Sequence, residues 1–204
     1  MGRDLLEGSE KYRRRAFAGS RRFLAELANE GQSPSTLFVG CCDSRVVPEL
    51  LTSSHPGDLF VVRNVANVVP SLNHADASVG AAIEYAVGHL RVAHAVVCGH
   101  TRCGGVQAAL DGLQDSHLPS LTEWISLVRV GAVPPHLVGD ARWDAAVEAN
   151  VLAQREALLT YPCVSDAVAA GQLQLHAWVY DLQRLDLRVF DDEEDAFRLA
   201  RDLV

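Results

Sequence analysis

An α/β fold is what this 204-residue sequence predicts: a mainly parallel central β-sheet with an antiparallel edge strand, flanking helices and an N-terminal helical arm. Two observations predict it. Short apolar runs of strand length alternate with segments whose apolar residues recur at helical spacing. The residues with unusual chemistry stand directly after two of those runs, where parallel sheets gather their loops. No internal repeat, low-complexity tract or long linker divides the chain, so residues 1–30 read as an arm and residues 31–204 as a single α/β domain.

In the arm, Ala16, Phe17, Phe23, Leu24, Leu27 and Ala28 recur at helical spacing and Gly31 is a stop signal. Thr36 to Gly40 is a short apolar run, as a buried parallel strand requires. Asp58 to Arg63 is a second such strand and His94 to Cys98 a third. Between the last two, Val79, Ala82, Ile83, Ala86, Val87 and Leu90 follow the i, i+3, i+4, i+7 pattern of a helix. Residues 120–130 and 141–159 also read as helices, the second with Trp143, Ala146, Val147, Asn150, Val151 and Leu158 near one face. Leu173 to Tyr180 alternates as a strand, and Leu185 to Phe190 follows closely enough for a hairpin. The tail, residues 192–203, reads as helical.

Composition excludes several classes. Hydrophobic residues make up 49% of the chain and charged residues 22%, too apolar for a disordered chain. A net charge of −8 argues against a nucleic-acid binder. No apolar run reaches the length of a membrane span, and MGRDLLEGSEKYRRR holds no apolar leader, so an unexported, cytoplasmic protein is expected. Lys11, Arg13, Arg14, Arg15, Arg21 and Arg22 make the arm basic, which reads first as a solvated helix face, with a surface for phosphate or another anion, or one packed on a neighbouring subunit, as the alternatives. Lys11 is the only lysine, which leaves little for Schiff-base chemistry. Five cysteines, an odd number in a chain read as unexported, point to metal binding or catalysis rather than a disulfide framework.

The first strand runs into Cys41-Cys42-Asp43-Ser44-Arg45 and the third into His100-Thr-Arg-Cys103-Gly104-Gly105. The H-x-x-C spacing lets an imidazole and a thiolate converge on one ion, and the helical run after Gly105 puts Cys103 near a helix N-terminus that favours thiolate. Gly104 and Gly105 permit close backbone approach. With Cys41, these residues make three soft ligands from two loops. That is one fewer than a closed structural zinc site and suits a catalytic zinc with an open position. An inert buried thiol cluster and a cysteine nucleophile remain as alternatives from the residues alone. Asp43 and Arg45, at i and i+2, can form a carboxylate–guanidinium pair that keeps Asp43 ionised and acceptor-only; the plainer reading is a surface pair of little consequence. A zinc ion with two thiolates and one neutral imidazole has a net charge near zero. Such a site acidifies water less than a three-imidazole site, so activity favouring alkaline pH is expected.

At this point the sequence resembles the β-class carbonic anhydrases, over roughly Gln32 to Tyr180. C-x-D-S-R is matched by Cys41, Asp43, Ser44 and Arg45, and H-x-x-C-G-G by His100, Cys103, Gly104 and Gly105. The run from Pro56 to Asn67 and Ala82 to Ala86 are further family-like stretches. The resemblance implies zinc held by Cys41, His100 and Cys103, with Asp43 and Arg45 as the catalytic dyad. It implies reversible hydration of carbon dioxide to bicarbonate and a proton. In some members the matching Asp swings to the zinc at lower pH; such members often carry a Trp where this chain has Phe38. Gln32, Phe60 and Tyr85 match pocket residues of the plant-like branch, where their equivalents reach the zinc across a dimer interface. A homodimer or a multiple of dimers is therefore expected, with Gln32 and the backbone near Gly104 positioning substrate oxygen. Core packing is the alternative for Phe60 and Tyr85. Cys42 departs from the Ser or Ala usual there; adjacent residues of extended chain face opposite ways, so only Cys41 is expected to face the ion. Cys98 and Cys163 read as buried filling. Of the remaining histidines, His176 sits on a predicted strand and His55 and His74 read as loop residues; a proton shuttle among them is the less favoured reading. The rival readings are a carbonyl sulfide or carbon disulfide hydrolase on the same scaffold, and a non-catalytic metal-dependent binding protein.

Overall fold

The computed structural model describes residues 2–19, 21–74, 76–131 and 133–203. The chain divides into two compact units, Met1–Ser33 and Pro34–Val204. The first holds helices α1 (Gly2–Gly19) and α2 (Arg21–Glu30). Leu5, Leu6 and Tyr12 are exposed on α1. The side chains of Ala16 and Phe17, expected on the apolar stripe, lie outside the described residues.

The second unit is built on a sheet of six strands in the order β2-β1-β3-β4-β5-β6. These are β1 (Thr36–Cys41), β2 (Leu59–Asn64), β3 (His94–His100), β4 (Gln174–Tyr180), β5 (Leu187–Asp191) and β6 (Ala196–Leu199). The first four run parallel, and β5 and β6 continue the sheet antiparallel. The expected antiparallel hairpin is present and extends one strand further. The tail is therefore a correction: residues 196–199 form β6 and only Ala200–Asp202 turn helically, as a short 3₁₀ segment. Phe197 packs edge-on against Phe190 at 5.2 Å, and Asp191 accepts from the N–H groups of Glu193 and Glu194 to turn the chain between the strands.

The helices of this unit are α3 (Pro48–Thr52), α4 (Ala77–Glu84), α5 (Gly104–Leu110), α6 (Pro119–Ile125), α7 (Gly139–Leu158) and α8 (Pro162–Ala169). Asp76 caps α4 by accepting from the N–H groups of Ser78 and Val79. The predicted helix through Leu90 is present, but its last stretch, Tyr85–His89, widens into a π-turn. The helix expected over 120–130 stops at Ile125. Alternation along the strands splits the sheet into two faces. Leu37, Val39, Ala95, Val97, Ala177 and Val179 join the main core with Ile83, Val147, Val151 and Leu158 from the helices and Tyr161 from the turn before α8. Phe38, Val96 and Cys98 form a second cluster with Val61, Trp178 and Tyr180. No helix among the described residues is long and apolar enough to cross a membrane.

Candidate metal centre

Strands β1 and β3 are parallel neighbours, so their carboxyl ends deliver Cys41 and His100 to the same edge of the sheet. Two residues beyond His100, Arg102 takes a left-handed backbone (φ 57°). That reversal turns Cys103 back toward the strand ends, where it caps the N-terminus of α5. Cys41, His100 and Cys103 are all buried, and their ligand atoms lie within 4.8 Å of one another. The Cys41 and Cys103 sulfurs are 3.9 Å apart. Two sulfurs on one tetrahedral zinc ion at 2.3 Å each would stand about 3.8 Å apart.

The imidazole is preset for the same task. His100 Nδ1 lies 2.9 Å from the carbonyl oxygen of Thr101, which can only accept, so Nδ1 carries the proton. His100 Nε2 is left as a bare acceptor, fully buried and without a hydrogen-bond partner. A buried polar atom in that condition is costly unless something outside the polypeptide satisfies it. Two thiols and one imidazole suit zinc in softness and in number. The Cys41 thiol is drawn down to about 4, first by the hydrogen bond from Cys103 and then, against burial, by His100 and the Asp43 N–H. Cys103 is pushed up by the same partnership and by burial. Metal binding needs both sulfurs as thiolates, so an incoming cation would displace protons from the pair.

Asp43 stands over this cluster. Its Oδ1 accepts from the backbone N–H and the Nε of Arg45, both at 2.9 Å, and its Oδ2 accepts from Arg45 Nη2 at 2.7 Å. This two-pronged guanidinium holds the Asp43 carboxyl well below the usual range. Asp43 Oδ2 also lies 3.8 Å from His100 Nε2. The carboxylate is therefore engaged by Arg45 while facing the atom that would hold a metal. Arg45 Nη2 reaches the carbonyl of Arg102 as well, tying the two loops together at 3.4 Å.

Sequence reasoning missed several supports. Arg63, at the end of β2, donates from Nε to the carbonyl of Cys41 at 3.0 Å and from Nη2 to that of Asp43 at 2.7 Å. Trp143 Nε1 donates to the carbonyl of Cys103 at 3.0 Å. A charged residue closing an otherwise apolar strand was the available signal for Arg63; Trp143 left only its place on a helix face. Behind the site, Ala66 and Asn67 both adopt left-handed backbone (φ 61° and 48°). A Cβ on Gly105 would come within 2.9 Å of Ala66 Cβ and 2.7 Å of Val65 Cγ1, so this glycine permits the loop to lie against α5. The close approach expected of both glycines belongs to Gly105, since a Cβ on Gly104 would meet open space.

The remaining predicted site residues lie elsewhere. Phe60 and Tyr85 pack on one another with ring centroids 5.8 Å apart, and Tyr85 lies 4.9 Å from the ring of His89. Phe60 is in register with Leu37, whereas Asn64 is in register with Cys41. Four residues of strand put Phe60 about 13 Å from the metal edge of its own chain. Gln32 belongs to the first compact unit. Cys42 is exposed while Cys41 is buried, as opposite orientations require. Cys98 is fully buried on the other sheet face, where burial pushes it up to about 12.

The family model described as carbonic anhydrase matches residues 36–186. A carbonic anhydrase of Pseudomonas aeruginosa is 40% identical over 185 residues, covering 89% of this chain and 84% of that protein. The solved β-carbonic anhydrase CcaA superposes with a TM-score of 0.91 at 35% identity, covering 97% of this chain and 91% of its own. One of two tetrameric β-carbonic anhydrases from Sordaria macrospora gives 0.77 at 30% identity, over 92% of this chain and 95% of that one.

Proposed function

The chain belongs to the β-class carbonic anhydrases, and from that premise we propose the residues that carry its activity. The reaction is the reversible hydration of carbon dioxide to bicarbonate and a proton. Cys41 Sγ, His100 Nε2 and Cys103 Sγ would hold a zinc ion. The observation that carries this reading is the buried, unsatisfied Nε2 of His100 facing two sulfurs 3.9 Å apart. Bound there, zinc supplies Lewis acidity, lowering the pKa of water so that it becomes a nucleophile at moderate pH.

Asp43 orients that nucleophile. An ionised carboxylate accepts hydrogen bonds and donates none. Asp43 Oδ2 therefore takes the hydrogen bond of the attacking oxygen and turns a lone pair toward the carbon of the substrate. Arg45 holds Asp43 ionised and aimed, and Arg63 fixes the turn that presents it. The backbone N–H near Gly104 and, from a second copy, the amide of Gln32 position substrate oxygen, and buffer carries the proton away. Phe60 and Tyr85 act in trans, lining the pocket of a second copy; their distance from the metal edge of their own chain supports this. The working assembly is then a homodimer or a multiple of it.

Stopped-flow carbon dioxide hydration of the wild type and of Asp43→Ala, at equal zinc content, tests the dyad. A loss of about 100-fold or more is expected for a group that positions the reacting proton, and equal rates would remove it. Hydrogen sulfide release from carbonyl sulfide, measured beside it, separates the rival hydrolase.

A further inference from the structure

We propose that His94 and His176 form a second metal site, distinct from the Cys41–His100–Cys103 centre, which takes a late first-row divalent ion on two imidazoles with water completing the shell. His94 begins β3 and His176 lies on the adjacent parallel strand β4. The register pairs Val96 with His176, so the two histidines are diagonal neighbours on one sheet face. His94 Nδ1 and His176 Nε2 are 3.2 Å apart and part-buried.

That separation is the one a shared ion needs. Two imidazole nitrogens bound at about 2.05 Å stand about 2.9 Å apart at a right angle and about 3.3 Å apart at the tetrahedral angle. The rings are tilted by 46° with centroids 5.3 Å apart, so a modest rotation turns both lone pairs to one point. The present N–H···N contact gives way without net loss of a proton: the donor ring shifts its hydrogen to its other nitrogen. The site is set on two hydrogen-bonded strands rather than on loops, which fixes its geometry.

Room and protonation state agree. The pair opens on a cleft of about 430 Å³ that Thr36, Ser54, Asp58 and Trp178 also line, space enough for the ion and its waters. Burial, then the charges of His94 and Arg155, favours neutral His176, the form that binds metals, and Asp192 opposes this. Arg155 is itself paired with Asp192 at 2.9 Å, which limits its repulsion of an incoming cation. Imidazole pairs favour Ni²⁺, Cu²⁺ and Zn²⁺ over harder ions.

The probe is Ni²⁺, titrated calorimetrically into the untagged, zinc-loaded chain and into His94→Gln and His176→Gln. One Ni²⁺ per wild-type chain is expected, with affinity at least about tenfold weaker in each variant, because each loses the two-ligand advantage. Carbon dioxide hydration without Ni²⁺ should be equal in all three. Equal Ni²⁺ binding in wild type and variants, or none in the wild type, would overturn the proposal. A readout on the wild type alone guards against a misfolded variant. Paramagnetic Ni²⁺ should broaden the side-chain NMR signals of His94 and His176 first. Earlier broadening of His55, His74, His89, His117 or His136 would overturn it too.

Discussion

Asn150→Leu is the sharpest probe of how the helices hold the metal edge in place. Asn150 is fully buried on α7. Its Oδ1 accepts from the backbone N–H of Arg129 at 3.0 Å and from Gln154 Nε2 at 2.9 Å, and its Nδ2 donates to the carbonyl of Ala66 at 3.0 Å. Leucine keeps the volume but orphans two backbone groups, while Gln154 retains its bond to the carbonyl of Leu127. The buried carbonyl of Ala66 left unpaired costs about 1–3 kcal/mol, the N–H of the exposed Arg129 about 1 kcal/mol as water replaces its partner, and the added apolar burial returns about 1 kcal/mol, for a net loss of about 2 kcal/mol. For a domain of this size that is a fall of about 4–8 °C in the thermal midpoint. Differential scanning calorimetry of the zinc-loaded chain at fixed concentration measures it. Ala66 lies against Gly105, two residues from Cys103, so zinc release to a chelator should also quicken. A midpoint shift under about 2 °C with unchanged zinc release would refute the reasoning, because a buried carbonyl left unpaired cannot cost so little.

The other expected outcomes follow from the same geometry. Gly105→Ala should lower zinc retention and thermal midpoint, because its Cβ meets Val65 and Ala66 below 3.0 Å, whereas Gly104→Ala should leave the midpoint unchanged; calorimetry and zinc analysis of both variants check this. Arg45→Gln removes the guanidinium that depresses Asp43. The stabilisation from that carboxylate is complete above its unfolded value of about 3.9 and is lost as pH falls from there through the lower folded value; losing Arg45 raises the folded value toward the unfolded one, so this acid-sensitive contribution shrinks. The acid limb of the pH–rate profile should move up with the folded value, with Arg45→Lys recovering part of the shift. The wild-type rate should climb toward alkaline pH because two thiolates cancel the charge of a divalent ion; a profile flat from about pH 6 to 9 would contradict this.

The strands of the parallel sheet were legible because burial on both faces leaves unbroken apolar runs, as from Thr36 to Gly40 and from His94 to Cys98. The clustering of Cys41, His100 and Cys103 was legible for a related reason: a strand's carboxyl end fixes where the next few residues stand, so Cys41 and the His100–Cys103 pair come together. The tail was misread because β6 has only four residues, too few for a period of two to separate from a helical pattern, and its pairing with β5 is tertiary. The supporting roles of Arg63, Trp143, Asn150 and Gln154 were not legible for another reason. Each acts through a side-chain bond to a backbone group remote in sequence, and such bonds leave no periodic trace. The His94–His176 contact spans 82 residues and shows only once the register of β3 and β4 is known.

Zinc content followed together with carbon dioxide hydration, through chelation and stepwise restoration, tests the central claim most directly. The rate should vanish with the metal and return in proportion to zinc bound, reaching its limit at one ion per chain. Cys103→Ala, which removes one of the three proposed ligands, should neither retain zinc nor recover. A metal-free chain that hydrates carbon dioxide at the full rate would contradict the account.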